Sequence, residues 1–259
     1  MLPVELSDKI IDLLAGKKKA LARCSLVSKT WADRSRIHLW KDLELKCEYD
    51  SVKLKRFIGF VRSSPVVANM VINVTLSYYS EPREGDSEYP RGGAFALLEA
   101  LPALETLTLD RARFWLLHTA NVDFTTKVKT LSIKDTIFSD IRDFHNLVCA
   151  LPSLTDLAVG PDVKWTSWDD TDAIEDYAFK VDRLQIGADD IDGSFITWLS
   201  LLSSVDVTTV CLTHMPRDFY EVADWFESAW DACIRTARSL ELDLRYIEGK
   251  RQMLLPLLR

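Results

Sequence analysis

Four histidines, five cysteines and 39 acidic residues are the obvious chemical resources of this 259-residue chain. Their spacing does not bring them together. His38, His118, His145 and His214 stand singly, with no HExxH pattern and no second histidine one helical turn away, as a helical zinc site needs. Cys24, Cys47, Cys149, Cys211 and Cys233 are scattered, odd in number and lack a CxxC pair, so they read as reduced, buried thiols. No GxSxG elbow, glycine-rich phosphate loop or Walker lysine is present. Acid pairs such as Asp169-Asp170 and Asp189-Asp190 need a cleft before they can act as general acid and base. The expectation is a protein that is not an enzyme and holds no metal or cofactor.

One stretch combines residue types that suit recognition rather than catalysis. Residues 164–177 read KWTSWDDTDAIEDY, with Trp165 and Trp168 beside Asp169, Asp170 and Asp172. Aromatic anchors with an acidic rim are what binding of a basic peptide requires. The alternative is that the aromatics belong to the core, with Asp169 near the start of a short helix.

Charge divides the chain. Residues 1–63 carry 14 Lys/Arg against 8 Asp/Glu, a balance of +6, and residues 64–259 carry 18 against 31, a balance of −13. A basic head on an acidic body suits different partners for the two parts. Lys17-Lys18-Lys19 and Lys53-x-Lys55-Arg56 are the basic runs, but no aromatics interleave them, and the acidic body opposes a phosphate-contact surface. No nucleic-acid partner is expected. No apolar run reaches the roughly 20 residues that span a bilayer. Glu5, Asp8, Lys9 and Asp12 break the first apolar stretch, which excludes a signal-peptide core there. An intracellular location, cytoplasmic or nuclear, is therefore expected.

The elements that would carry these residues fall into two groups. Pro3 suits a helix start, Leu6, Ile10, Leu13 and Leu14 recur at helical spacing, and Gly16 supplies a stop. A second apolar group comprises Leu21, Cys24, Leu26, Val27 and Trp31, and a third Ile37, Leu39 and Trp40. Three short helices in about 40 residues cannot bury a sufficient core alone, so this segment must lean on the rest of the chain, on a partner, or on both.

Those same residues resemble the F-box: Leu2-Pro3-x-Glu5-Leu6, Ile10-Ile11-x-x-Leu14, Cys24-Ser25-Leu26-Val27-Ser28-Lys29-x-Trp31 and Leu39-Trp40. The resemblance covers residues 2–45 and is closest in wording to fungal members of that family. It implies binding to a small acidic adaptor of the Skp family, which joins such proteins to a cullin ubiquitin ligase. The adaptor-binding residues it implies are Leu2, Pro3, Leu6, Ile10, Leu21, Leu26, Val27 and Trp31. A basic head would be steered toward an acidic adaptor.

Beyond the head one phrase recurs, apolar-x-x-apolar-x-apolar, with middle residues Leu43, Val74, Leu107, Leu131, Leu157, Leu184, Val210 and Leu240. They lie 24 to 33 residues apart, near the period of leucine-rich repeats, where each alternating pair forms a short strand. Helical patterns lie between the phrases, at residues 138–151, 195–202 and 219–236. Ala-Leu-Pro-x-Leu occurs twice, at 100–104 and 150–154. The ladder of Asn that leucine-rich repeats carry in the turn is absent: Ala112, Thr136, Asp162, Asp189 and Met215 stand there. Residues 80–93, with two prolines and three glycines, read as a disordered loop.

The expected architecture is α/β: a three-helix F-box over residues 1–45, then a degenerate leucine-rich-repeat-like solenoid with a parallel sheet over residues 46–259. An irregular α/β domain is the alternative. The expected function is substrate recognition in a Skp–cullin–F-box ubiquitin ligase, with a target protein carrying a basic segment. A repeat scaffold whose head is only an N-terminal cap is the rival.

Overall fold

The computed structural model describes residues 3–47, 52–78, 93–114, 127–160, 163–165, 178–187, 195, 198–199, 202, 204–213 and 237–242. The head is three helices, α1 (Val4–Asp12), α2 (Lys18–Cys24) and α3 (Lys29–Lys41). The Pro3 carbonyl accepts from the Leu6 and Ser7 amides and so opens α1. Gly16, at φ +82°, takes the left-handed conformation that lets the chain turn toward α2. The Ser28 hydroxyl accepts from the Trp31 amide at 3.2 Å and caps α3.

No linker follows. α3 runs directly into strand β1 (Asp42–Cys47), which spans the boundary expected between residues 45 and 46. Then come α4 (Val52–Ser63), α5 (Pro65–Ala68), β2 (Asn73–Tyr78), α6 (Gly93–Ala100), β3 (Thr106–Asp110) and β4 (Arg113–Phe114). β5 (Thr130–Lys134), β6 (Ile137–Phe138), α7 (Ile141–Cys149), β7 (Asp156–Val159) and β8 (Lys164–Trp165) follow. β9 (Ala178–Gly187), β10 (Ser204–Thr213) and β11 (Ser239–Leu242) complete the described elements. The loop expected at 80–93 lies outside the described residues except for Gly93, which opens α6, and the helix expected at 219–236 lies outside them entirely.

Eight strands form one sheet in chain order, β1-β2-β3-β5-β7-β9-β10-β11, and every pairing is parallel. The middle residues of the phrase pair with one another across the whole sheet: Leu43 with Val74, Val74 with Leu107, and so on to Val210 with Leu240. Side chains alternate along a strand, so one face carries the buried Val74, Leu107, Leu131, Leu157, Leu184 and Val210. The other face carries Asn73, Thr75, Thr106, Thr108, Thr130, Ser132 and Arg183, half-buried or exposed. A one-residue slip would exchange the two faces, so burial fixes the register.

The two Ala-Leu-Pro-x-Leu copies take one conformation. Leu104 and Leu154 donate to the carbonyls of Leu101 and Leu151, at 3.1 and 3.0 Å, and Leu101 and Leu151 are buried. After them, Glu105 and Thr155 donate to the carbonyls of Ile72 and Lys129, each the residue before the preceding sheet strand, both at 2.8 Å. The repeated pentapeptide thus ends one helix and sets the next strand in register.

A second, three-stranded parallel sheet, β4-β6-β8, was not expected from the sequence. Its two-residue strands are too short to show a period. The chain reaches it through Arg111 and Asp135, at φ 55° and 48°, which follow β3 and β5 at matching points. Where Asn would stand in a leucine-rich repeat, Thr136 is buried and its hydroxyl donates to the Lys134 carbonyl at 2.8 Å. The Ala112 and Thr136 carbonyls accept from the Ile137 and Lys164 amides, both at 2.9 Å, so backbone groups complete the turn. The corresponding turn after β7 uses Gly160: a Cβ there would lie 2.9 Å from the Lys134 Cβ.

The centre of the body core is aromatic. Phe144 of α7 packs edge-on against Phe138 (5.4 Å between centroids) and Trp198 (4.8 Å), and at a shallower tilt on Trp165 (5.6 Å). Phe179 meets Trp198 from the other side at 5.3 Å. Trp165, expected as a recognition anchor, is buried in this cluster, because the second sheet turns it inward.

Candidate docking site

The head has a thin core. Its buried side chains are Ser7 and Ile11 of α1, Leu21 of α2, and Ala32 and Ser35 of α3. Two of the five are serines, and the Ser35 hydroxyl has no hydrogen-bond partner. So small an apolar core supplies little of the burial that folding needs.

Polar ties assist it. Asp12, at the end of α1, accepts from Arg34 of α3 through both carboxylate oxygens at 2.7 Å, and its Oδ1 lies 2.7 Å from the His38 Nε2. The Arg34 hydrogen bonds, and then that of His38, hold the Asp12 carboxyl well below the usual carboxylate range. The same contact raises the Arg34 guanidinium. Lys18 of α2 donates to the Asp42 carbonyl of β1 at 3.0 Å, linking the head to the first strand of the sheet.

Most aliphatic side chains of the head are exposed. α1 carries two adjacent stripes at i, i+4, i+7 spacing: Leu6, Ile10, Leu13 and Ser7, Ile11, Leu14. Apolarity alone would bury the first. The fold buries the second at Ser7 and Ile11, and leaves Leu6, Ile10 and Leu13 exposed. Leu26 and Val27, between α2 and α3, are 86% and 66% exposed. Covering these five side chains would stabilise a complex by about 5–10 kcal/mol before the costs of association, at about 1.5–3 kcal/mol for each fully exposed aliphatic side chain. The surrounding charges are mainly basic, with Lys9, Lys17, Lys18, Lys19, Arg23 and Lys29 all exposed.

Of the expected adaptor-binding residues, Pro3, Leu6, Ile10, Leu26 and Val27 are exposed on the head and Trp31 is half-buried. Leu21 is corrected: it is fully buried and packs inside the head, because α2 needs one apolar side chain to seat it on α3. Leu2 lies outside the described residues. Leu13, 81% exposed, lies on the same exposed stripe and was not among the expected residues, although its spacing from Leu6 and Ile10 was the available signal. In the other candidate site, Trp165 is core, and Trp168, Asp169, Asp170 and Asp172 lie outside the described residues.

The described residues hold no group of three or more His, Cys, Asp or Glu side chains placed to bind a metal ion. The nearest approach to reactive chemistry is His145 Nε2 and Cys149 Sγ, 3.3 Å apart at the end of α7. Burial pushes the His145 imidazole pKa down, toward the neutral form. No described helix is long and apolar enough to cross a membrane. Residues 1–46 match the family model of the F-box-like domain. No curated protein matches the chain.

Proposed function

We propose that this protein is a receptor subunit of a Skp–cullin–F-box type ubiquitin ligase, in which the head docks on the Skp-family adaptor and the body recruits a target. The observation that carries it is the coincidence of the F-box-like match with a head that leaves Leu6, Ile10, Leu13, Leu26 and Val27 exposed over a core in which two of five buried residues are serines. In this reading the chain performs no chemical step of its own, and it works inside the cell, in cytoplasm or nucleus. The body would be a leucine-rich-repeat-like unit from about residue 46. Parallel strands in chain order, leucines in register and the doubled Ala-Leu-Pro-x-Leu turn support that reading. For the target we propose a basic segment, met by Trp168, Asp169, Asp170 and Asp172; reversing the three aspartates to Lys would weaken its capture and spare the adaptor.

The test is co-expression of the intact chain with a Skp-family adaptor, followed by co-purification. The wild-type chain should carry the adaptor, and Leu6→Asp with Leu26→Asp should lose it without unfolding the body. A second reading, in which the head is only a cap, draws on the Lys18 hydrogen bond to the carbonyl of β1. A chain that never retains the adaptor would favour that cap.

A further inference from the structure

α4 lies just past the residues that match the F-box-like domain, and its inner face is accounted for by the buried Leu54, Ile58 and Val61. Its outer face is not that of an ordinary solvated helix. Val52 and Phe60 are 46% and 42% exposed, and Arg56 stands between them at i, i+4, i+8 spacing, on one stripe. The charges of the helix are all of one sign, Lys53, Lys55, Arg56 and Arg62. Arg62 is paired with Glu99 at 3.1 Å, whereas among the described residues no carboxylate pairs with Lys55 or Arg56.

Gly59 sits in the middle of this face. After proline, glycine is the least favourable residue in a helix interior. Nothing among the described residues requires it: its φ is not left-handed, and a Cβ built on it meets no described atom within 4 Å beyond its chain neighbours and its own helix backbone. What the missing side chain leaves is exposed backbone, a notch in the helix face that also carries Val52, Arg56 and Phe60. Glycine permits that kind of close approach from outside. The notch is continuous with the head, because Trp40 of α3 lies over Phe60 with ring centroids 5.7 Å apart.

We propose that the outer face of α4 is a second docking surface for the protein that binds the head, and that it takes an acidic segment whose apolar residue packs on the backbone at Gly59. This rests on the reading of the head as a docking site and extends the footprint beyond the F-box-like residues. The chemistry of the occupant follows from the face. Val52 and Phe60 select an apolar anchor, and Arg56 on the same stripe, with Lys55 next to it in the chain, selects carboxylates beside it. Arg56 offers the planar fork that holds a carboxylate through two hydrogen bonds.

The experiment is calorimetric titration of a purified Skp-family adaptor into the intact chain and four variants, with thermal melts of each free chain. Gly59→Gln fills the notch with a good helix former, adding neither charge nor apolar surface. It should raise the melting temperature of the free chain and weaken adaptor binding by about tenfold, the loss typical of one interface anchor. Opposite effects on stability and binding are not what a purely structural glycine gives. Arg56→Glu and Phe60→Ala should each weaken binding by a similar factor, and Arg56→Glu should flatten its dependence on salt. The fourth variant, Leu6→Asp with Ile10→Asp, should abolish binding. If that variant abolishes binding while Gly59→Gln binds as tightly as wild type, the α4 surface is overturned and the head remains the docking site. If the wild-type chain itself does not bind, the reading of the head falls, and the α4 surface with it.

Discussion

Leu21 and Leu26 are five residues apart, both are leucines of the F-box-like segment, and the structure gives them opposite jobs. Leu21 is fully buried and Leu26 is 86% exposed. Leu21→Ala removes one of only two large aliphatic side chains in the buried core of the head, and should destabilise the head by about 2–5 kcal/mol, the range for a buried leucine. Leu26→Ala removes almost no packing, so stability should stay within about 0.5 kcal/mol of wild type. If a partner covers that exposed surface, its loss costs the complex about 1.5–2.5 kcal/mol, a ten- to sixtyfold rise in Kd. The assay is urea denaturation of the free chain followed by circular dichroism, alongside adaptor titration by calorimetry. Leu21→Ala also weakens apparent binding, by depleting the folded head, but adaptor in excess restores the head by mass action. Only Leu26→Ala should separate binding from stability. Equal destabilisation by the two substitutions, or unchanged binding by Leu26→Ala, would refute the division of the head into core and docking face.

Three further outcomes are expected. Leu157→Ala, in the centre of the buried row between Leu131 and Leu184, should cost about 2–5 kcal/mol in urea denaturation, whereas Ser132→Ala on the opposite face should change stability by less than about 0.5 kcal/mol. Gly160→Ala brings a Cβ to 2.9 Å from the Lys134 Cβ and 3.2 Å from the Ile133 carbonyl oxygen, and should destabilise by about 1–3 kcal/mol as strands are forced apart, read as a lowered melting temperature. The Asp12 carboxyl is held below its unfolded value, so the folded state binds fewer protons than the unfolded one in acid. Its stabilising contribution is therefore complete above the unfolded value of about 4 and is lost as pH falls below it. Asp12→Asn should make the acid limb of a stability-versus-pH curve shallower while changing its shape little above pH 5.

The residue order alone determined the strands of the eight-stranded sheet and their pairing. A phrase with three apolar positions, repeated every 24 to 33 residues, can bury its apolar residues only if each copy aligns with the last. The observed register follows from that constraint, Leu43 through Leu240. The three helices of the head were legible for a similar reason, as apolar positions at helical spacing with Pro3 as a start and Gly16 as a stop; the Ser28 cap of α3 came only with the structure. What the sequence left open was which side of each element meets something. By apolarity alone the Leu6, Ile10 and Leu13 stripe of α1 would be core, and only the resemblance implied that Leu6 and Ile10 meet a partner; the fold buries Ser7 and Ile11 and leaves those three exposed. Leu21 and Trp165 look as available for recognition as Leu26 and Trp168, and tertiary packing buries them. Periodicity gives the angle between side chains around an axis, but the direction of the core is set by neighbouring elements. The same holds for Gly59: in the sequence it is one glycine inside a helical pattern, and only the empty space around its Cβ position makes it a notch.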